Sequence, residues 1–125
     1  MTWLEYWHLK PDLPPNPDVD LSKTNEIYLS NTKIQIIQTP GHTPGSVAFY
    51  IPEQKVVFTG DLLFSGSVGR TDLPGGSEAD LILSLRKLYK LVDINSLIYP
   101  GHGPETTMQE EMTKNIFVRR ALFNL

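Results

Sequence analysis

The chain has 125 residues, of which 40% are hydrophobic and 20% charged, a composition that fits one domain with a buried core. Its formal net charge is −3 and no basic stripe is present, so we expect neither a nucleic acid nor an anionic membrane as a partner. Because there is no cysteine, disulfides and thiolate ligands are excluded, and any metal must be bound through nitrogen and oxygen.

The sequence contains neither a membrane span nor a signal-peptide pattern. No apolar run approaches the length that crosses a bilayer, and residues 1–5 lack a basic segment followed by an apolar core. We therefore expect one domain over residues 1–125, located in the cytoplasm.

Proline and aromatic residues dominate the first segment, residues 1–21. Since proline removes a backbone N–H donor, this segment is predicted to form a short helical turn followed by an extended loop. After it, alternating apolar residues between turn residues predict two β-hairpins. Their strands are residues 27–29 with 33–38, and residues 46–51 with 55–59.

The next part of the chain changes from strands to a loop and a helix. Glycine and proline punctuate residues 64–76, which predicts a long loop of the kind that often carries function. Ser77 is a favourable N-cap for a helix over residues 78–91, whose leucines recur at helical spacing on one face. A strand at residues 96–99 follows.

The last predicted element is a helix that begins with a capping-box pattern, Thr107 and Glu110. We expect it to run unbroken past Asn115 towards Ala121. This order of elements predicts an α+β fold, a mixed β-sheet with helices on one face. The other face would then lack a cover. Apolar side chains expected on that face are Ile34, Ile36, Val47 and Phe49.

A repeated tripeptide points to a metal site. Pro-Gly-His occurs twice, ending at His42 and at His102, and each copy follows an apolar, β-like run. A third run, residues 56–59, leads into Gly60 and Asp61. Any one of these could be an ordinary turn that ends a strand. Together they favour a metal site, because imidazole and carboxylate are usual ligands of catalytic zinc and strand ends hold them rigidly.

Four motifs occur in order along the chain. They are TPGHTPGS at residues 39–46, FTGD at 58–61, GRTDLPGG at 69–76 and YPGHGPETT at 99–107. Together they resemble the metallo-β-lactamase superfamily, in particular its glyoxalase II-like hydrolases. The resemblance implies the C-terminal portion of an αββα sandwich, in which two layers of β-sheet lie between helices.

The same resemblance assigns roles to individual residues. It implies that His42 binds the first metal, that Asp61 bridges both metals and is the catalytic carboxylate, and that His102 binds the second metal. The implied metal is zinc, with iron or manganese as alternatives, and the site can stand empty in this chain. The implied substrate is a small-molecule thioester such as an acylglutathione, hydrolysed by a metal-activated water.

One part of the superfamily pattern is missing. Its remaining ligands come from a His-x-His-x-Asp-His motif, whereas the histidines here are His8, His42 and His102, none of them two residues from another. His8 lies in the proline-rich segment and is not expected to be a ligand. We therefore expect a truncated, C-terminal part of such a hydrolase, with low activity unless another chain supplies the missing ligands.

Arg70, in the third motif, has two open interpretations. Its planar guanidinium can clamp a substrate carboxylate, or it can pair with Asp72 or with loop carbonyls and so order the loop. The surrounding Gly-Arg-Thr-Asp also resembles the persulfide dioxygenase branch of the superfamily, which uses one iron. The final motif reads Pro-Gly-His-Gly-Pro where that branch usually has Ala-His, so this branch is the second choice among enzymes.

Two classes of function therefore stay open for the chain. It is either an incomplete enzyme or a non-catalytic structural or interaction module that keeps the motifs. In both cases an uncovered apolar sheet face would need a partner. We expect a homodimer, or binding to a partner chain that carries the missing half.

Overall fold

The computed structural model describes residues 26–124. The predictions for residues 1–21, including the short helical turn and the position of His8, lie outside the described residues. The strands are β1 (Glu26–Leu29), β2 (Thr32–Gln38), β3 (Val47–Ile51), β4 (Val56–Gly60), β5 (Leu63–Phe64), β6 (Ser67–Val68), β7 (Leu97–Pro100) and β8 (Thr106–Thr107). The helices are α1 (Glu78–Leu91), α2 (Met108–Lys114) and α3 (Ile116–Phe123), with a short 3-10 helix at Pro52–Gln54.

The main sheet has six strands in the order β1-β2-β3-β4-β7-β8. Neighbouring strands are antiparallel except β4 and β7, which are parallel. A parallel pair needs a crossover connection, and the connection from β4 to β7 contains α1. The mixed sheet and the α+β class are therefore confirmed, and the carboxyl ends of β4 and β7 lie side by side.

Both predicted hairpins are present. In the first, Ile27 lies opposite Ile34, and the turn contains Ser30 with a positive φ of 56°. In the second, Phe49 lies opposite Phe58, and the turn is the 3-10 helix that follows β3. The alternation of apolar residues therefore predicted both strand pairs, and the structure adds their register.

The prediction of a continuous loop over residues 64–76 is wrong at its beginning. β5 and β6 pair there as a separate two-stranded sheet, with Leu63 opposite Val68 and Phe64 opposite Ser67. The turn between them contains Gly66 at a φ of +80°, a conformation that glycine adopts without steric cost. A two-residue turn therefore makes a hairpin out of a segment whose composition predicted a loop.

Helix α1 has the predicted bounds and the predicted cap. The Ser77 hydroxyl accepts a hydrogen bond from the Asp80 N–H at 3.2 Å, and Glu78 and Asp80 lie in the first turn, where negative charge is favourable. Leu81, Leu85 and Leu88 are buried. The helix therefore packs through its leucine face.

The last helix begins as predicted but does not continue unbroken. The Thr107 hydroxyl accepts a hydrogen bond from the Glu110 N–H at 3.0 Å, which starts α2. At Asn115 the backbone is extended, with φ −84° and ψ 112°. The Asn115 side chain accepts hydrogen bonds from the N–H groups of Phe117 and Val118, so it caps a new helix, α3. The break has a local cause, since asparagine is among the best N-cap residues.

Apolar side chains form two clusters, one on each face of the sheet. The first joins sheet residues such as Tyr50, Val57 and Ile98 to side chains of all three helices. The second, among the described residues, consists of sheet side chains alone: Ile34, Ile36, Phe49, Ile51 and Phe58. The placement of the helices on one face is therefore confirmed.

The expectation that the second face lies open is wrong for three of its four named residues. Ile34, Ile36 and Phe49 are 3%, 4% and 5% exposed. Cross-strand pairing places these side chains in a row, with Ile36 opposite Phe49 and Phe49 opposite Phe58. Val47 is partly exposed.

Within residues 26–124, no helix is long and apolar enough to span a membrane.

Candidate metal centre

The three predicted ligands lie just beyond the ends of three sheet strands. His42 follows β2, Asp61 follows β4 and His102 follows β7. The parallel register brings Gly60 opposite Pro100, and the Gly101 N–H donates to the Gly60 carbonyl at 2.8 Å. Strand order therefore brings Asp61 and His102 together, although 41 residues separate them in sequence.

The Asp61 carboxylate lies between the two imidazoles. His102 Nε2 is 3.2 Å from Asp61 Oδ1, and His42 Nε2 is 3.7 Å from Asp61 Oδ2. Each histidine thus faces a different oxygen of one carboxylate. The predicted residues converge, while their role as metal ligands stays a prediction.

The loop that carries His42 is fixed against the N-terminal half of α1. The Ser77 N–H donates to the Gly41 carbonyl at 2.7 Å, and the Ser84 hydroxyl donates to the Pro40 carbonyl at 2.6 Å. Gly41 has a φ of +145°, and a Cβ atom there would overlap the backbone of Leu81. Glycine is therefore required for the loop to approach the helix this closely.

A carbonyl group fixes the proton position on the His42 ring. His42 Nδ1 lies 2.8 Å from the Arg70 carbonyl oxygen. A carbonyl only accepts hydrogen bonds, so Nδ1 carries the proton, and in the neutral ring Nε2 presents its lone pair to Asp61. A lone pair facing a carboxylate is favourable only with a proton or a cation between them. A backbone acceptor that orients a histidine in this way is typical of metal sites.

The Arg70 carbonyl can contact His42 because the preceding residue, Gly69, packs directly against the Asp61 backbone. A Cβ atom on Gly69 would overlap the Asp61 carbonyl oxygen. The Gly69 N–H donates to the Leu62 carbonyl at 2.9 Å, which holds the strand-like backbone in place. The sequence shows a glycine here, but only the structure gives the reason for it.

The Arg70 guanidinium pairs with Asp72, which is the second of the two interpretations given for this residue. Its Nε and Nη2 atoms donate to the two Asp72 carboxylate oxygens at 2.8 and 3.0 Å. The hydrogen bond and the opposite charge raise the pKa of Arg70, and the hydrogen bond from Arg70 lowers the pKa of Asp72. Both side chains are exposed. The contact of this residue with the centre is made by its backbone carbonyl, which sequence reasoning missed.

A cavity of about 350 Å³ opens over the carboxylate. Its lining residues are His42, Asp61, Phe64, Val68, Gly69, Arg70 and His102. Phe64 and Val68 belong to the β5–β6 hairpin, and the Phe64 ring centre is 5.8 Å from that of His102. Sequence reasoning missed these two apolar residues. The pattern of one apolar residue on each side of Ser65-Gly66-Ser67 could have identified the hairpin and hence its side chains.

The donor atoms fit a catalytic metal in kind, although their number is too small. Two imidazole nitrogens and a carboxylate suit zinc or iron. Among residues 26–124, however, no group of three or more His, Cys, Asp or Glu side chains is arranged to hold a metal ion. By themselves, His42, Asp61 and His102 therefore do not complete a ligand set, and their role as metal ligands stays a prediction.

Comparison with known proteins agrees with this geometry. Residues 1–103 match the model of the family described as "Metallo-beta-lactamase superfamily". The chain belongs to the metallo-β-lactamase superfamily. Since the match covers most of the chain and includes both Pro-Gly-His motifs, the superfamily predicted from the motifs is confirmed.

Individual relatives extend the comparison. The chain is 43% identical over 105 residues to "Hydroxyacylglutathione hydrolase GloC" of Haemophilus influenzae, covering 82% of this chain and 49% of that protein. Among solved structures it is similar to BLEG-1 B3 metallo-β-lactamase, with a TM-score of 0.75, 37% identity and coverage of 81% of this chain and 48% of that one. It is also similar to TTHA1623 in a di-iron-bound form, with a TM-score of 0.69, 45% identity and coverage of 83% and 50%.

The chain spans about half the length of the curated relatives it matches. The shared part is the C-terminal portion of the metallo-β-lactamase fold, as the motifs predicted. This superfamily is metal-dependent, and one relative of similar structure binds two irons. The family match over residues 1–103 includes the positions of His42, Asp61 and His102.

Proposed function

We propose that this chain provides one half of the metal centre of a hydrolase that cleaves thioesters of the hydroxyacylglutathione type. The observation that carries the proposal is the Asp61 carboxylate placed between His42 and His102, each histidine facing a different oxygen. In this proposal the remaining ligands come from outside residues 26–124. Their source is a second copy of this chain or a partner polypeptide that carries the missing motif.

His42 Nε2, Asp61 and His102 Nε2 would hold the metal. When bound, the metal would polarise the thioester carbonyl and lower the pKa of a coordinated water. The Arg70 carbonyl keeps the His42 Nδ1 proton in place, so that Nε2 stays available as a ligand. Phe64 and Val68 form an apolar wall beside the ligands, which excludes water from one side and suits the carbon chain of an acyl group.

Two of the details rest on relatives. Similarity to the hydroxyacylglutathione hydrolase GloC supports the choice of a glutathione thioester as substrate. Zinc is the metal we propose first, because the ligands are nitrogen and oxygen and the reaction needs no redox change. Iron is second, supported by the di-iron form of TTHA1623, and manganese is third.

Arg70 is the proposed contact for an anionic group of the substrate. Arg70 is one of the residues that line the cavity, and its partner Asp72 is exposed, so a substrate carboxylate can replace Asp72 at low cost. Arg70 presents the planar pair of donors that carboxylates prefer.

The test is metal content together with hydrolysis. Protein without an affinity tag is dialysed against metal-free buffer, and its metal content per chain is measured by plasma mass spectrometry. Thioester hydrolysis and molar mass by light scattering are measured on the same preparation. We expect near-stoichiometric zinc or iron, thioesterase activity and a mass above that of a monomer.

The same experiment examines the alternative, a non-catalytic interaction module. That alternative is favoured by the lack, within the described residues, of a complete group of metal ligands. A monomer that binds no metal and hydrolyses no thioester, even after zinc or iron is added back, would contradict the proposed function and support the alternative.

A further inference from the structure

A buried carboxylate lies outside the metal centre. Glu111, on α2, is 3% exposed. It accepts hydrogen bonds from the Gly66 N–H at 2.7 Å, the Thr106 hydroxyl at 2.6 Å and the Asn115 side-chain amide at 3.0 Å. Burying a carboxylate is unfavourable unless donors surround it, and these three donors meet that need. Such an arrangement indicates a specific role for the side chain.

The donors to Glu111 come from three separate parts of the chain. Gly66 lies in the turn of the β5–β6 hairpin, Thr106 in β8, and Asn115 at the break between α2 and α3. Asn115 also donates to the Ser67 carbonyl at 3.1 Å. Two buried side chains, Glu111 and Asn115, therefore bind two consecutive residues at the tip of the hairpin.

The hairpin depends on such contacts, because two strands of two residues each are not stable alone. Its base is fixed by the burial of Leu63 and by the Thr59 hydroxyl, which donates to the Leu63 carbonyl at 2.8 Å. Its tip is fixed by Glu111 and Asn115. The cavity residues Phe64 and Val68 flank that tip, so the position of both follows from how the tip is held.

We propose that Glu111 is a positioning residue for the metal centre, which holds the β5–β6 hairpin so that Phe64 lies against His102 and Val68 closes the cavity wall. Glu111 touches neither His42 nor His102, and acts through the Gly66 N–H. The link to catalysis rests on the proposed function, since it takes this cavity as the reaction site. The positioning itself needs no substrate and no metal, and can be tested separately.

The direct test is nuclear magnetic resonance on the full chain, comparing wild type with Glu111→Leu. The Gly66 amide loses its acceptor, and we expect its hydrogen exchange, measured relative to the core amide of Val57, to become at least about tenfold faster. The His102 ring protons should shift as the Phe64 ring moves away. If Glu111→Leu does not fold, Glu111→Asp takes its place, since it withdraws the carboxylate by one methylene and should produce the same changes.

Rescue by a conservative change separates geometry from charge. In Glu111→Gln the amide oxygen can accept from Gly66 and Asn115 while the amide nitrogen donates to the Thr106 hydroxyl. We expect Gly66 exchange within about twofold of wild type and unshifted His102 signals, because the hydrogen bonds are kept. Signals that move as far as in Glu111→Leu would overturn the positioning role as stated.

Two controls separate positioning from general stability. Glu110→Leu changes the same residue type on the same helix, but Glu110 is half exposed and pairs with Lys114. Thr106→Val removes another donor to Glu111 without touching the hairpin, so it should lower the midpoint of urea unfolding while the His102 signals stay in place. If Glu111→Leu behaves like Thr106→Val, with lower stability and unmoved His102 signals, the proposal is wrong. That result would leave the metal and thioesterase experiments unaffected.

Discussion

Two polar clusters are in contact with the β5–β6 hairpin, and they differ in how completely the protein surrounds them. In the first, Asp61 and His102 have side chains that are 44% and 78% exposed, and their contact opens into a cavity. In the second, Glu111 and Asn115 are buried, and both oxygens of Glu111 are hydrogen-bonded. A carboxylate whose oxygens all accept hydrogen bonds from the protein stabilises the fold. A carboxylate that lies between two accessible imidazoles is instead available to bind a metal ion or a substrate.

The largest expected effect is the loss of metal from the open cluster. Asp61→Ala removes its only carboxylate, so we expect metal content per chain to fall to background, a larger effect than the roughly 10–100-fold loss in affinity that follows changes behind the ligands. Because Asp61 is half exposed, the urea midpoint should change little. Asp80→Ala, an exposed aspartate in the first turn of α1, is the matched control. Stoichiometric metal retained by Asp61→Ala would refute the ligand assignment.

A second prediction concerns the backbone behind the open cluster. Gly69→Ala places a Cβ against the Asp61 carbonyl, which should lower the free energy of unfolding by about 1–3 kcal/mol. Gly45→Ala is the control, since a Cβ there meets nothing within 4 Å. By restricting the unfolded chain, Gly45→Ala should leave stability equal or raise it by up to about 1 kcal/mol. Urea unfolding measures both, and equal midpoints would show that the approach of Gly69 to Asp61 is not tight.

The two clusters also differ in how far the sequence predicted them. His42, Asp61 and His102 were identified because each follows an apolar strand and stands beside a glycine. These features are local, and the parallel pairing of β4 with β7 then brings two of the residues together. The sheet, α1 and both hairpins were predicted for the same reason, since alternation and capping act over a few residues.

The buried cluster could not be predicted in this way. Glu111 bonds Gly66 across 45 residues, and nothing in the neighbourhood of either residue indicates the partner. Asn115 was expected inside a continuous helix; its capping of α3 is a local contact, but its bonds to Glu111 and Ser67 depend on the packing of α2 against the hairpin. Long-range polar contacts depend on the packed fold. Local sequence patterns therefore predicted the helices, the strands and the residues at strand ends, but not the partners of Glu111.

A substitution after Asn115 examines the break directly. Ile116 is the first residue of α3, and Asn115 before it is already extended, as the residue before a proline must be. Proline fits the first position of a helix, so Ile116→Pro should leave stability unchanged or raise it by up to about 1 kcal/mol. In a continuous helix the same change would cost about 3 kcal/mol. Thermal unfolding distinguishes the two, with Val118→Pro, inside α3, as the destabilising control.

The smallest expected effect lies at the rim of the open cluster, in the pair of Arg70 and Asp72. The hydrogen bond from Arg70 lowers the pKa of Asp72, so Arg70→Gln should return the Asp72 pKa towards the ordinary aspartate value, as measured by carboxyl-carbon resonances during a pH titration. Because the pKa of Asp72 is lower in the folded state, any stabilisation by the Arg70–Asp72 pair is fully present above the ordinary aspartate pKa. It is lost as the pH falls through the lowered pKa of folded Asp72. Since both side chains are exposed, that stability should be small and should weaken with added salt. A weak pair leaves Arg70 free to exchange Asp72 for a substrate carboxylate, whereas a salt-insensitive Asp72 pKa would show a tight pair and argue against Arg70 as the substrate contact.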